Sequence, residues 1–185
     1  EVEEGGEVFV EKVKIFGNIR TRDVVLRRAL EFFPLERVNT EKIRRSERNL
    51  RNLGYFDKVE ILPEPGSAGH MANLIVRVSE KQTGSITFSL GFSSIESVFA
   101  LLKYQQRNFD WRGKEKGWTG LFTGQGFIGD GQNLEVAINT GTKSRRFTID
   151  FSEPWVFNRK IRFGFGLFAT QSEIADFDEG RQGSY

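Results

Sequence analysis

The stretch EKQTGSITFSLGFSS, residues 80–94, divides the sequence into two kinds of chain. From Ser85 it alternates, with Ser85, Thr87, Ser89 and Gly91 on one side and Ile86, Phe88, Leu90 and Phe92 on the other. Period two with one polar and one apolar face predicts a half-buried strand. About ten residues is the length a tilted strand needs to cross a bilayer. The residues before this stretch read as a small mixed α/β domain suited to water, and those after it as long alternating strands.

Composition shifts at the same place. Of 18 Phe, five precede residue 81 and 13 follow it; of 20 Gly, six precede and 14 follow. Charged residues run the other way, 28 in the first 80 positions and 24 in the remaining 105. Two solvents account for this simply. The formal net charge is only +2, and no basic stripe is interleaved with aromatics, which argues against nucleic acid as a partner. With no cysteine, a disulfide framework and thiolate metal sites are excluded. No apolar run approaches the roughly 18 residues of a membrane helix, so any spanning falls to a barrel. The chain starts at Glu1 without a leader, as expected of a processed or excised piece.

Downstream of the boundary, four more strands are predicted. Val98–Asn108 places Val98, Ala100, Leu102 and Tyr104 outward and Lys103, Gln105 and Arg107 inward, with Phe99 and Leu101 breaking the pattern. Asn133–Thr140 has Leu134, Val136 and Ile138 out; Arg146–Ser152 has Phe147, Ile149 and Phe151 out; Lys160–Thr170 has Ile161, Phe163, Phe165 and Leu167 out. A transmembrane barrel reads this way, and so does a soluble sandwich. In an up-and-down order, Phe109 and Trp111 fall at the same end as Trp155 and Phe157, as an interfacial aromatic girdle requires. Residues 112–132 form a long Gly-rich insert, read either as a mobile loop or as a segment in which Trp118, Leu121, Phe122, Phe127 and Ile128 are candidate anchors to headgroups or to the first domain.

Upstream, Val8–Phe16 is a predicted strand. Thr21 is the expected cap of a helix running to about Glu31, and Thr40 that of a second helix with the stripe Ile43, Glu47, Leu50 and Leu53. Gly54 suits a left-handed helix stop. Tyr55–Leu62 and Ala72–Val78 are strands, separated by a turn over residues 63–69.

The order strand, helix, helix, strand, strand, with GNIRTRDVVLRRAL, SERNLRNLGYFDKVEI and ANLIVRVSEK, resembles a POTRA domain. Gly17, Leu26, Arg27, Leu50, Gly54, Phe56, Val59 and Glu80 carry the resemblance. With TGSITFSLGFSS directly behind, the chain is similar to the membrane-proximal part of the BamA family of outer-membrane assembly factors. The expected fold is therefore an α+β POTRA domain (β-α-α-β-β) over 8–81, followed over 82–185 by about five antiparallel strands of a transmembrane β-barrel. Residues 1–7 would end a preceding POTRA repeat.

The resemblance implies outer-membrane protein insertion from the periplasm, with unfolded outer-membrane clients, outer-membrane lipid and periplasmic accessory lipoproteins as partners. It implies that a client strand pairs with Ser85, Ile86, Thr87, Phe88, Ser89, Leu90, Gly91 and Phe92, where a lateral seam opens, with Gly84 and Gly91 softening it. The exposed edge Tyr55, Phe56, Asp57, Lys58, Val59, Glu60 and Ile61 would accept extended clients by strand addition. Phe109, Trp111, Trp118, Trp155 and Phe157 would sit at the membrane interface. Two other functions fit the same arrangement: a polypeptide secretion transporter of the two-partner type, and the membrane anchor of a fused hydrolase.

Motifs for chemistry are weak. Gly124–Gly129 matches GxGxxG, but an alternating strand follows it where a dinucleotide site needs a helix. His70 is the only histidine, so no triad or His-based metal centre can be built. No catalytic, cofactor or metal residue is expected.

Overall fold

The computed structural model describes residues 7–94, 97–113, 120 and 126–173. The first domain runs β1 (Phe9–Phe16), α1 (Asp23–Ala29), α2 (Thr40–Asn52), β2 (Phe56–Pro65) and β3 (Met71–Glu80). Its three strands form one sheet in the order β1-β3-β2, with β1 parallel and β2 antiparallel to β3. Both helices pack on one face of this sheet. Val10, Leu26, Leu50, Phe56, Val59, Leu74 and Val76 close the core.

The caps differ from the expectation. Asn39, not Thr40, caps α2: its Oδ1 accepts from the N–H groups of Glu41 (2.8 Å) and Lys42 (3.2 Å). The Asn side chain satisfies two of the donors a helix start leaves orphaned. Thr21 does not cap α1, which has Arg22 at its N-cap with no side-chain capping bond and ends at Ala29; the Thr21 hydroxyl is used elsewhere. Gly54 does take the left-handed conformation after α2, at φ +73.

β2 also continues through Pro63 and Pro65, which the sequence suggested as a turn. The phase of the ladder explains this. The Ile61 N–H points away from β3, so positions 59, 61, 63 and 65 face the open side, where a missing N–H costs no ladder bond.

The second unit is a five-stranded antiparallel sheet in chain order: β4 (Gly84–Ser93), β5 (Ser97–Phe109), β6 (Ile128–Gly141), β7 (Ser144–Glu153) and β8 (Phe163–Ser172). β6 begins five residues earlier than expected, taking Ile128 out of the insert. β8 begins at Phe163, which leaves Lys160, Ile161 and Arg162 in the preceding turn. Register aligns Ile86, Tyr104, Val136, Ile149 and Leu167 across all five strands. Alternation then places Phe88, Leu102, Ile138, Phe147, Phe163 and Phe165 on that same face.

This apolar face is open. Ile86, Phe88, Leu90 and Phe92 are 66%, 65%, 67% and 84% exposed. Among the described residues no second sheet packs against it. The opposite face carries Ser85, Thr87, Gln105, Thr148 and Asp150, and a Lys103–Glu135 ion pair at 2.7 Å. Phe99, which broke the alternation, lies on this polar face with its ring over Gly91, where any Cβ would collide with it. Gly84 is likewise covered by the Gln106 side chain.

Candidate functional site

β4 pairs only with β5, so its other edge is open among the described residues. The Arg107 N–H donates to the Thr83 carbonyl at 3.0 Å. The register is unbroken from Gly84–Gln106 to Ser93–Ser97. In an antiparallel ladder bonded residues alternate with unbonded ones. The odd residues of β4 therefore bond to β5, and Gly84, Ile86, Phe88, Leu90 and Phe92 turn their N–H and C=O groups to the open edge. All but Gly84 carry the exposed apolar side chains. The edge thus offers a run of unpaired peptide groups beside an apolar surface. Ser85, Thr87, Ser89 and Gly91 contribute the polar face and the bonds to β5.

The first domain docks at one end of this sheet through a buried polar seam. Asn108 and Gln106 are each 1% exposed. Asn108, at φ +57, donates from Nδ2 to Thr21 Oγ1 at 2.9 Å and accepts at Oδ1 from the Gly131 N–H at 2.9 Å. The Gly131 carbonyl accepts from the Tyr55 hydroxyl at 3.1 Å. Burial pushes the Tyr55 hydroxyl up to about 12. Arg22 reaches Asp110 at 3.0 Å and Asp130 at 3.3 Å, and its backbone N–H donates to the Gly129 carbonyl at 2.9 Å. Gly129, at φ +139, passes so close to the Arg20 carbonyl that a Cβ would collide. From α1, Arg28 lies over the Trp155 ring at 5.6 Å and donates to Asn158 at 2.8 Å.

Glu80, the last residue of β3, ties the turn at Arg20 and Thr21 to the sheet. Its carboxylate accepts from the N–H groups of Arg20 (2.9 Å) and Thr21 (2.6 Å) and from Arg20 Nε (3.2 Å). Burial opposes its ionisation, but the hydrogen bonds from Thr21 and Arg20 outweigh that and hold it below the ordinary carboxylate value.

The aromatic residues expected at the interface share this end of the sheet but not one environment. Phe109 stacks on Phe127 and meets Phe151 edge-on. Trp111 is exposed with Arg112 over its ring at 5.0 Å. Phe157 is 91% exposed in a 3₁₀ turn, itself at φ +52 and followed by Asn158 at φ +59. Trp118, and with it Leu121 and Phe122, lies outside the described residues.

β2 is one of the two outer strands of its sheet, with the strand beginning at Phe56. Tyr55 precedes it and serves the seam. Phe56, Val59 and Ile61 are buried against the helices, while Asp57 and Lys58 are exposed. The seam residues Asn108, Gly131, Thr21 and Arg22 were not singled out as partners from the sequence. Their one signal is the polar, Gly-rich run FIGDGQ at the mouth of β6.

Comparison with known proteins agrees with both halves. Residues 8–81 match the POTRA family (surface antigen variable number repeat), and residues 127–185 match the Omp85 superfamily domain. The chain is 31% identical over 169 residues to the outer membrane protein assembly factor BamA of Neisseria meningitidis, covering 90% of this chain. It is 26% identical over 159 residues to the BamA of Neorickettsia risticii, covering 86%. It spans 19% of the length of each of these relatives. Its fold is similar to the crystal structure of BamA from Haemophilus ducreyi lacking POTRA domains 1–3, with a TM-score of 0.75 at 21% identity. That match covers 93% of this chain and 29% of the other. CdiB from Escherichia coli shares the fold less closely, with a TM-score of 0.57 at 12% identity, over 93% of this chain and 30% of that one.

Proposed function

The chain belongs to the BamA family, a POTRA domain joined to the opening strands of an Omp85-type sheet, and on that premise we propose that it inserts β-barrel proteins into the outer membrane. Its place is the bacterial outer membrane, with the POTRA domain on the periplasmic side. The apolar face of the five-stranded sheet meets lipid, and the polar face with Lys103 and Glu135 lines the interior.

The open edge of β4 carries the proposal. In hydrocarbon each unpaired peptide group costs several kcal/mol, so a nascent strand enters only when its backbone finds a partner. Ile86, Phe88, Leu90 and Phe92 offer donors and acceptors at the bilayer level, and their pairing with a client strand is strand addition. The clients are unfolded outer-membrane proteins. Side chains set depth and register. The β2 edge is a second, periplasmic place for an extended client, and Trp111, Trp155 and Phe157 sit at the membrane interface. Accessory lipoproteins in the periplasm complete the proposed set of partners on the family resemblance alone.

The ladder phase supplies the test. In a chimera, residues 8–173 replace the matching segment of the meningococcal relative. Phe88→Pro removes an N–H that faces the open edge and leaves the bonds to β5 intact, whereas Phe88→Ala keeps that N–H. Client insertion in proteoliposomes should fall about 100-fold for the proline variant and little for alanine, because a lost hydrogen bond in an apolar medium is worth several kcal/mol. Undiminished insertion by a folded Phe88→Pro chimera would refute the role of this edge.

A further inference from the structure

The open side of β2 is already occupied by the chain's own helix. Glu47 Oε1 accepts from the Ile61 N–H at 3.1 Å, and Arg51 donates to the Val59 carbonyl at 3.2 Å. The two side chains stand one turn apart on α2 and pair with each other at 3.8 Å. Val59 and Ile61 are among the β2 positions whose backbone groups face away from β3, so an incoming strand would need the same donor and acceptor. Beyond them, Pro63 and Pro65 present no N–H to that side. Before them, a register shift between Phe56 and Lys58 interrupts the ladder. The usable part of the edge is thus short, and one donor and one acceptor in it are capped.

We infer that α2 holds the β2 edge closed through Glu47 and Arg51, and that an extended peptide gains it by replacing these two side chains with its own backbone carbonyl and N–H. This rests on the reading of β2 as a client-accepting edge. The exchange is even in hydrogen bonds, since each capped group leaves one partner for another. Glu47 and Arg51 are released into water, where both are well solvated. Such an edge does not pair with another copy of the chain by default, which is how exposed edges are commonly protected. It yields to a segment that presents several bonds at once. The partner that fits is an uncapped, extended polypeptide. On the far face of β2 its side chains would lie beside Lys58, Glu60 and Leu62, where Lys58 and Glu60 are paired at 2.8 Å.

The test uses the whole chain in detergent micelles and a fluorescein-labelled peptide of sequence SITFSLGF flanked by lysines. The double variant E47A/R51A should bind the peptide about ten-fold more tightly than the unaltered chain, since two competing hydrogen bonds are gone. A photoreactive peptide should cross-link to residues 57–61. E47Q keeps an acceptor for the Ile61 N–H and should bind within about two-fold of the unaltered chain. Amide exchange offers an independent readout that also reports folding. Exchange at Ile61 should accelerate in E47A while Leu74 and Val76 in β3 stay protected. Equal peptide affinity with and without the cap, together with cross-linking to β2, overturns the closed-edge inference and leaves β2 a client site. Absence of β2 cross-links in both forms overturns the client reading and the inference with it.

Discussion

Glu80 is a single carboxylate that holds the turn at Arg20 and Thr21 against the end of β3. It gathers two backbone N–H groups and the Arg20 side chain, and its side chain is 6% exposed. Charge-assisted bonds of this kind are the strong ones, so Glu80→Gln should cost about 2 kcal/mol at neutral pH in denaturant titration of the chain in micelles. The pH dependence has a definite sign. The folded carboxyl titrates below its ordinary 4.5, so its contribution is complete above that value. It fades as pH falls through the lower folded pKa. The gap between the unaltered chain and the Gln variant should therefore narrow in acid, and a gap that widens would contradict this role. Glu80 stands out in the sequence as part of the POTRA pattern, but its partners do not. Arg20 and Thr21 lie some 60 positions away, and no periodicity links a turn to a strand end.

Among the elements, what periodicity carries was legible and what side-chain competition decides was not. The strands after Lys81 follow from alternation, and the five fall close to where the sequence put them. Strand ends and helix caps escaped because several residues could serve each role. Asn39 and Thr40 are both good caps; Asn39 takes the role, and the hydroxyl of Thr21 pairs with Asn108 instead of α1. Prolines marked a turn that the structure makes part of β2, since an open edge tolerates them.

The β4–β5 pair shows a similar effect. Phe99 looked like a defect and Gly91 a weakness, yet the ring fills the space the glycine leaves. Gly91→Val should displace the ring and destabilise the pair by about 1–3 kcal/mol. Phe99→Ala in the same chain should recover most of that loss, because residues in contact are non-additive. Amide exchange along β4 measures both, and simple additivity would show that the ring and the glycine are independent.

At the scale of the molecule, two units with different solvents meet at a polar seam. The core of the first domain is dry and the helices cover one face of its sheet. The second sheet turns its apolar face outward, with nothing from the described chain upon it. The proposed function assigns lipid to that second face. Arg22, Asn108, Tyr55 and Gly131 fix the first domain against the end of the sheet that carries Trp111 and Trp155, which places the domain on one side of the bilayer. The boundary itself was plain in the composition of Phe, Gly and charge, whereas the seam was hidden because buried polar partners leave no pattern in the sequence.

Spin labels give the most direct test, since the chain has no cysteine to remove. Single cysteines at each position from Ser85 to Phe92, and from Phe147 to Phe151, would be labelled in the chain folded in lipid vesicles. Labels at 86, 88, 90, 92, 147, 149 and 151 should be accessible to oxygen and shielded from a water-soluble nickel reagent, and labels at the intervening positions should show the reverse. Loss of this alternation, or shielding of the apolar positions from both reagents, would mean that a protein interior covers this face instead of lipid.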